Sequence, residues 1–130
     1  MLTMSRQQRV LIVDDECIIA DTLALILKKH GYETKAVYSG EHAVETATQF
    51  KPDVLISDVV MRGMNGIEAA LRISVTLPRC KVILFSGNAA TADLLHDAQA
   101  HGHSFETLAK PVHPQVLLDR LSAIEDPASI

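Results

Sequence analysis

Five residues able to do metal or phosphorus chemistry each stand at the end of a short apolar run. Asp14 and Asp15 close "VLIVDD", Asp58 closes "DVLISD", Ser86 closes "KVILFS", and Lys110 follows "FETLA". Three carboxylates brought together repel one another, and their pKa values rise unless a cation intervenes. Oxygen ligands without neighbouring Cys or His favour a hard ion, and two or three carboxylates with room for water suit Mg²⁺. Such an ion can also hold a phosphoryl group during transfer. Asp58, on a different run from the acid pair, is then a candidate nucleophile toward phosphorus. Ser86 can donate a hydrogen bond to a phosphoryl oxygen, and Lys110 can supply a fixed positive charge. Taken singly each has a plainer reading: an Asp at a strand end is often a cap or loop residue, Ser86 before Gly87 a turn, Lys110 before Pro111 a solvated charge.

What favours chemistry is a common edge. The apolar runs Arg9–Asp14, Glu33–Tyr38, Asp53–Asp58, Lys81–Ser86 and Phe105–Ala109 alternate with segments of helical period, the pattern of strand–helix units on a parallel sheet. Three runs are apolar at consecutive positions, as strands covered on both faces should be. If all five are parallel strands, every candidate residue lies at the carboxyl edge, where open α/β sheets bind ligands.

The helical segments carry their own punctuation. Ile19, Leu23, Ile26 and Leu27 mark a first helix stopped at Gly31; Ser39 caps a second bearing Ala43, Val44 and Ala47. Asn65 with Glu68 reads as a capping box for a third, with Ile67, Ala70, Leu71 and Val75 facing inward. A fourth, from about Ala89 to Ala100, has only Leu94, Leu95 and alanines to bury. Pro114 opens a fifth presenting Leu117, Leu118, Leu121 and Ile124.

At 130 residues, 48% hydrophobic and 22% charged, the chain fits one globular domain, expected over 5–126 with no output domain beside it. A net charge of −4 argues against direct nucleic-acid binding. No export signal or membrane-spanning run is visible, so a cytoplasmic address is expected. Cys17 and Cys80 are expected as buried thiols rather than a disulfide. His96, His101 and His103 lack an acid or Cys to complete a zinc site. Met61 and Met64 read as core and loop packing.

Four motifs in order, "VDDE", "DVVMRGMNGIE", "LFSG" and "AKPV", resemble the receiver domain of two-component response regulators over about Arg9 to Ile124. The resemblance implies a flavodoxin-like, doubly wound sheet of five parallel strands in order 2-1-3-4-5. It implies that Asp58 takes a phosphoryl group from a phosphohistidine on a sensor histidine kinase or phosphotransfer protein. Asp15 and Asp58 would bind Mg²⁺ directly with the Val60 carbonyl, Asp14 would act through metal-bound water, and Ser86 and Lys110 would contact the phosphoryl group. The resulting change would be read by an output partner at the face of the fourth helix, fifth strand and fifth helix. Such a domain catalyses its own phosphorylation and dephosphorylation without turning over an external substrate. A cis bond before Pro111 is a family feature as well.

Two positions depart from the pattern. Arg62 stands where proline is usual, predicting altered loop stiffness or docking with the metal ligands intact. Thr107 stands three residues before the lysine, where an aromatic is common, and a bulge would be needed for Phe105 or Leu108 to substitute. Val60 and Asn88, two after Asp58 and Ser86, occupy positions that commonly tune phosphoryl lifetime, and apolar Val60 predicts slow to intermediate hydrolysis. The rival readings are a phosphate-independent scaffold and a Mg²⁺-dependent phosphohydrolase.

Overall fold

The computed structural model describes residues 7–87, 93–96 and 105–125. Five strands, β1 (Arg9–Val13), β2 (Glu33–Val37), β3 (Val54–Asp58), β4 (Lys81–Ser86) and β5 (Glu106–Ala109), form one sheet in the order β2-β1-β3-β4-β5. All pairings are parallel. The expected order is therefore the observed one, and the winding reverses between β1 and β3. Register runs from Val10↔Val54 to Val13↔Ser57, so one further step sets Asp14 beside Asp58.

β1 and β3 are buried almost throughout, as is β4 between its ends, whereas β2 and β5 at the edges alternate between covered and open positions. The three continuously apolar runs are these inner strands, whose successive residues enter the two cores on opposite faces of the sheet. β1 ends before the acids. Asp14 still donates its N–H to Val37 O, but its carboxylate accepts the Glu16 N–H at 2.9 Å and turns the chain into the first helix.

The helices are α1 (Cys17–Lys29), α2 (Gly40–Phe50), α3 (Gly66–Thr76) and α4 (Pro114–Glu125), the last being the predicted fifth. Of the predicted fourth, residues 93–96 form a helical turn and the rest lie outside the described residues. Ser39 Oγ accepts the His42 N–H at 3.0 Å and Asn65 Oδ1 accepts the Glu68 N–H at 2.9 Å, so both predicted N-caps form. Glu68 itself pairs with Arg72 one turn along. Gly31 takes a φ of +96 just past α1, a conformation that costs glycine little.

α1 and α4 cover one face, burying Ala20, Leu23, Leu27, Leu117 and Leu121 against Val10, Ile12, Ile56 and Ile83. α2 and α3 cover the other with Ala43, Ala47, Ile67, Ala70 and Ile73 against Leu11, Val13, Leu55 and Leu84. Met61 packs into this second core, as expected. Two assigned stripe positions and one expected buried thiol need correction. Val75 is 82% exposed and Ile73 is buried instead, because the α3 stripe follows Ala70 and Ile73 and Val75 falls roughly opposite. Ile19 is partly open and Ala20 takes its inward place. Cys17 is exposed at the first turn of α1, whereas Cys80 is half-buried, and burial, with the Asp53 charge second, pushes its thiol up to about 12. Among the described residues no helix is long and apolar enough to cross a membrane.

Candidate functional site

Because every strand is parallel, the predicted residues collect at one edge. β3 delivers Asp58 next to Asp14, the residue that follows β1, and β4 and β5 pair Ser86 with Ala109, so Lys110 leaves the sheet immediately beyond Ser86. The Lys110 N–H donates to Ser86 O at 3.0 Å, which fixes the start of its reach. Its side chain crosses to Asp58, where Nζ lies 2.5 Å from Oδ2. The aliphatic part runs past Gly87, where a Cβ would sit 3.3 Å from Lys110 Cδ. Lys110 is followed by a cis bond to Pro111, as the resemblance implied.

The pair is half sheltered, with side chains 9% exposed at Asp58 and 34% at Lys110. Burial acts to lower the Lys110 pKa, but the Asp58 hydrogen bond and charge, aided by Asp14 and Glu16, outweigh it and leave the ammonium above its ordinary value. Asp14 is 2% exposed, and its Oδ2 is buried without a hydrogen-bond partner. Burial is the main cause that raises its pKa; the Glu16 N–H opposes this, and the charge of Asp58 adds to it. A crowded, under-satisfied carboxylate is what a cation or its bound water would relieve. Among the described residues no three His, Cys, Asp or Glu side chains are already gathered as a metal cage. Two carboxylates with a main-chain carbonyl and water form a smaller donor set, the kind Mg²⁺ accepts because it keeps much of its hydration shell.

The loop after β3 presents Val60, 48% exposed, and is held from several sides. Val59 donates to Phe85 O, and Gly66 donates to Val59 O at 2.8 Å. A Cβ on Gly66 would lie 2.1 Å from Asp58 O, so only glycine lets α3 begin this close to the strand end. Arg62 donates its main-chain N–H to Asp15 Oδ2 at 3.1 Å, and Met64 donates to Glu41 Oε2 at 3.2 Å. Glu41 and Gly66 were not singled out from sequence. Their signal was faint: a first-turn acid after Ser39 and a glycine after a cap residue are both common without any site nearby.

The register around Lys110 contains no bulge of the kind that a substitution by Phe105 or Leu108 would need. β5 pairs with β4 continuously from Ile83↔Glu106 to Ser86↔Ala109. Thr107 is therefore three residues before Lys110 and exposed; Phe105 packs toward the α2–α3 core and Leu108 toward the α1–α4 core. Neither takes the place of an aromatic at that position. Glu106 pairs with Arg120, tying β5 to α4. His96 is exposed; His101, His103 and Asn88 lie outside the described residues.

Beside the acids, an apolar cleft of about 570 Å³ runs between α1 and the segment after β5, lined by Ile18, Ile19, Leu23, Ile26, Val112 and Pro114. Asp14, Glu16 and Lys110 stand on its rim.

The family model of the response regulator receiver domain matches residues 10–122. The chemotaxis protein CheY of Thermotoga maritima is 33% identical over 118 residues, covering 90% of this chain and 97% of that protein. The DNA-binding response regulator MtrA of Mycobacterium leprae is 27% identical over 119 residues, covering 90% of this chain but 51% of that one, so the chain spans about half the length of such relatives. The solved structure of chemotaxis response regulator CheY4 of Vibrio cholerae superposes with a TM-score of 0.76 at 28% identity, covering 92% of this chain and 99% of that one.

Proposed function

The chain belongs to the response regulator receiver domain family, whose members take a phosphoryl group from histidine kinases and act on output partners, and on that premise we propose that Asp58 is its phosphoacceptor. The observation that carries this is the 2.5 Å contact between Lys110 Nζ and Asp58 Oδ2. It brings Lys110 onto one carboxylate oxygen and leaves the other for attack. That oxygen forms the new P–O bond as the P–N bond to the donor imidazole breaks, and the imidazole leaves with the electron pair and takes up a proton. Ser86 Oγ donates to a phosphoryl oxygen, and Lys110 follows the negative charge from Asp58 toward phosphorus. Asp15, Asp58 and the Val60 carbonyl would hold Mg²⁺ directly and Asp14 through water; bound there, the ion screens attacking and transferring oxygens from one another.

The apolar cleft along α1 supports a docking place for the donor, since Asp14 and Lys110 line it and a partner seated there would exclude water from the transfer. Output is assigned to the face of the predicted fourth helix, β5 and α4; Thr107 on β5 and Val116 on α4 are exposed. The receiver unit is taken as 5–126, acting in the cytoplasm. Receiver domains are switches rather than enzymes of external substrates, and removal of the phosphoryl group by water is assigned to the same site. Val60, apolar and exposed two residues after Asp58, offers that water no acid or base. This supports a slow to intermediate loss, and it also disfavours the phosphohydrolase reading, in which a carboxylate is often found there.

Treatment with acetyl phosphate and Mg²⁺ tests the assignment by intact mass and mapping of an acid-stable, base-labile adduct. One adduct on Asp58, absent in Asp58→Asn, is expected. An adduct elsewhere, or none at all, overturns the reading. Turnover of small phosphate esters would favour the hydrolase instead.

A further inference from the structure

Both contacts of Arg62 fall on one atom. Its main-chain N–H lies 3.1 Å from Asp15 Oδ2 and its guanidinium Nε lies 3.5 Å from the same oxygen. The two ends of this pair differ sharply in environment: the Arg62 side chain is 88% exposed and that of Asp15 only 22%. The guanidinium can therefore swing into water at little cost, whereas Asp15 cannot leave the edge of the sheet. Lys110, the other cation of the site, is engaged by Asp58. Asp15 thus has a partner that is close, opposite in charge and easily released.

We propose that Arg62 is a tethered counter-cation that neutralises Asp15 in the metal-free protein and must be displaced when Mg²⁺ binds, so that it lowers the affinity of the acid site for the ion. Arg62 is a positioning residue in this scheme, and the inference rests on the reading of Asp15 as a Mg²⁺ ligand. Two effects act in the same direction. The ion must break an existing pair, and it must then share the edge with a remaining positive charge. An exposed ion pair of this kind contributes little, so displacement alone alters affinity by about two- to fivefold. The competition is also salt-dependent, because an exposed guanidinium is screened within about 3 Å at 1 M salt. The main-chain N–H bond survives replacement of the side chain, so loop placement and charge can be separated.

Calorimetric titration of the full chain with MgCl₂ and the Mg²⁺-dependent rise in Tm test this in the parent, Arg62→Ala and Arg62→Lys. Arg62→Ala is expected to bind Mg²⁺ about two- to fivefold more tightly at low salt, with the gap closing near 1 M KCl, while Arg62→Lys stays close to the parent. In an Asp15→Asn background Arg62→Ala should change nothing. Equal or weaker binding by Arg62→Ala, or a gain that persists unchanged at high salt, overturns the inference. If the parent binds Mg²⁺ and acquires the Asp58 adduct while the variants match it, only this inference fails. If none of the three chains binds Mg²⁺, the reading of the acid site fails with it.

Discussion

Replacing Asp14 by Asn should stabilise the metal-free protein while weakening its response to Mg²⁺. Asp14 is almost wholly buried, its Oδ1 accepts the Glu16 N–H, and its Oδ2 has no partner. An amide keeps the oxygen that caps the turn and removes the charge that burial and Asp58 penalise. The amide nitrogen at the Oδ2 position is no better partnered, so the gain comes from removing the charge, the excess cost of a buried group that is ionised as well as unpaired, about 1–2 kcal/mol. For a domain of this size that is a rise of roughly 3–8 °C in Tm in EDTA at pH 7.5. The pH dependence has a definite sign. A carboxyl whose folded pKa is raised above 3.8 favours folding below that value and loses this contribution as pH rises through the raised one. The advantage of Asp14→Asn should therefore narrow as pH is lowered toward 3.8. With Mg²⁺ at about ten times its dissociation constant, the parent gains about 1.4 kcal/mol and the variant well under half of that. Thermal unfolding of both chains over this grid is the assay. A variant less stable than the parent in EDTA at pH 7.5 would refute the idea that this carboxylate is held under electrostatic and desolvation stress.

Other consequences follow from particular contacts. Gly66→Ala places a methyl 2.1 Å from Asp58 O and should cost about 3 kcal/mol in urea unfolding while also lowering Asp58 phosphorylation; near-parental values for both would mean α3 begins less tightly than described. Ser39→Ala removes the cap on the His42 N–H and should cost about 1 kcal/mol by the same assay, with the Asp58 adduct still forming. Maleimide at pH 7 should modify exposed Cys17 and spare Cys80, whose thiol is pushed up to about 12; comparable labelling of both, read by peptide mass, would contradict that burial.

Much of the architecture is legible in the order of residue types. Continuous apolar runs at β1, β3 and β4, a stop at Gly31, and caps at Ser39 and Asn65 are local signals, and each is realised where it was read. The meeting of Asp14 with Asp58 follows once the sheet is parallel and β1 neighbours β3, because register then converts strand ends into spatial neighbours. The amphipathic stripes were less secure: Val75 and Ile73 are both apolar, and only the direction in which α3 meets the sheet decides which is buried. Thr107 is a similar case, since the absence of a bulge is a property of the β4–β5 pairing rather than of either strand. What the chain order could not contain is the pairing of Arg62 with Asp15 and of Glu41 with Met64. Long polar side chains reach partners 47 and 23 positions away through space, and no periodicity of sequence encodes where a loop will lie when the helices on either side of it have packed.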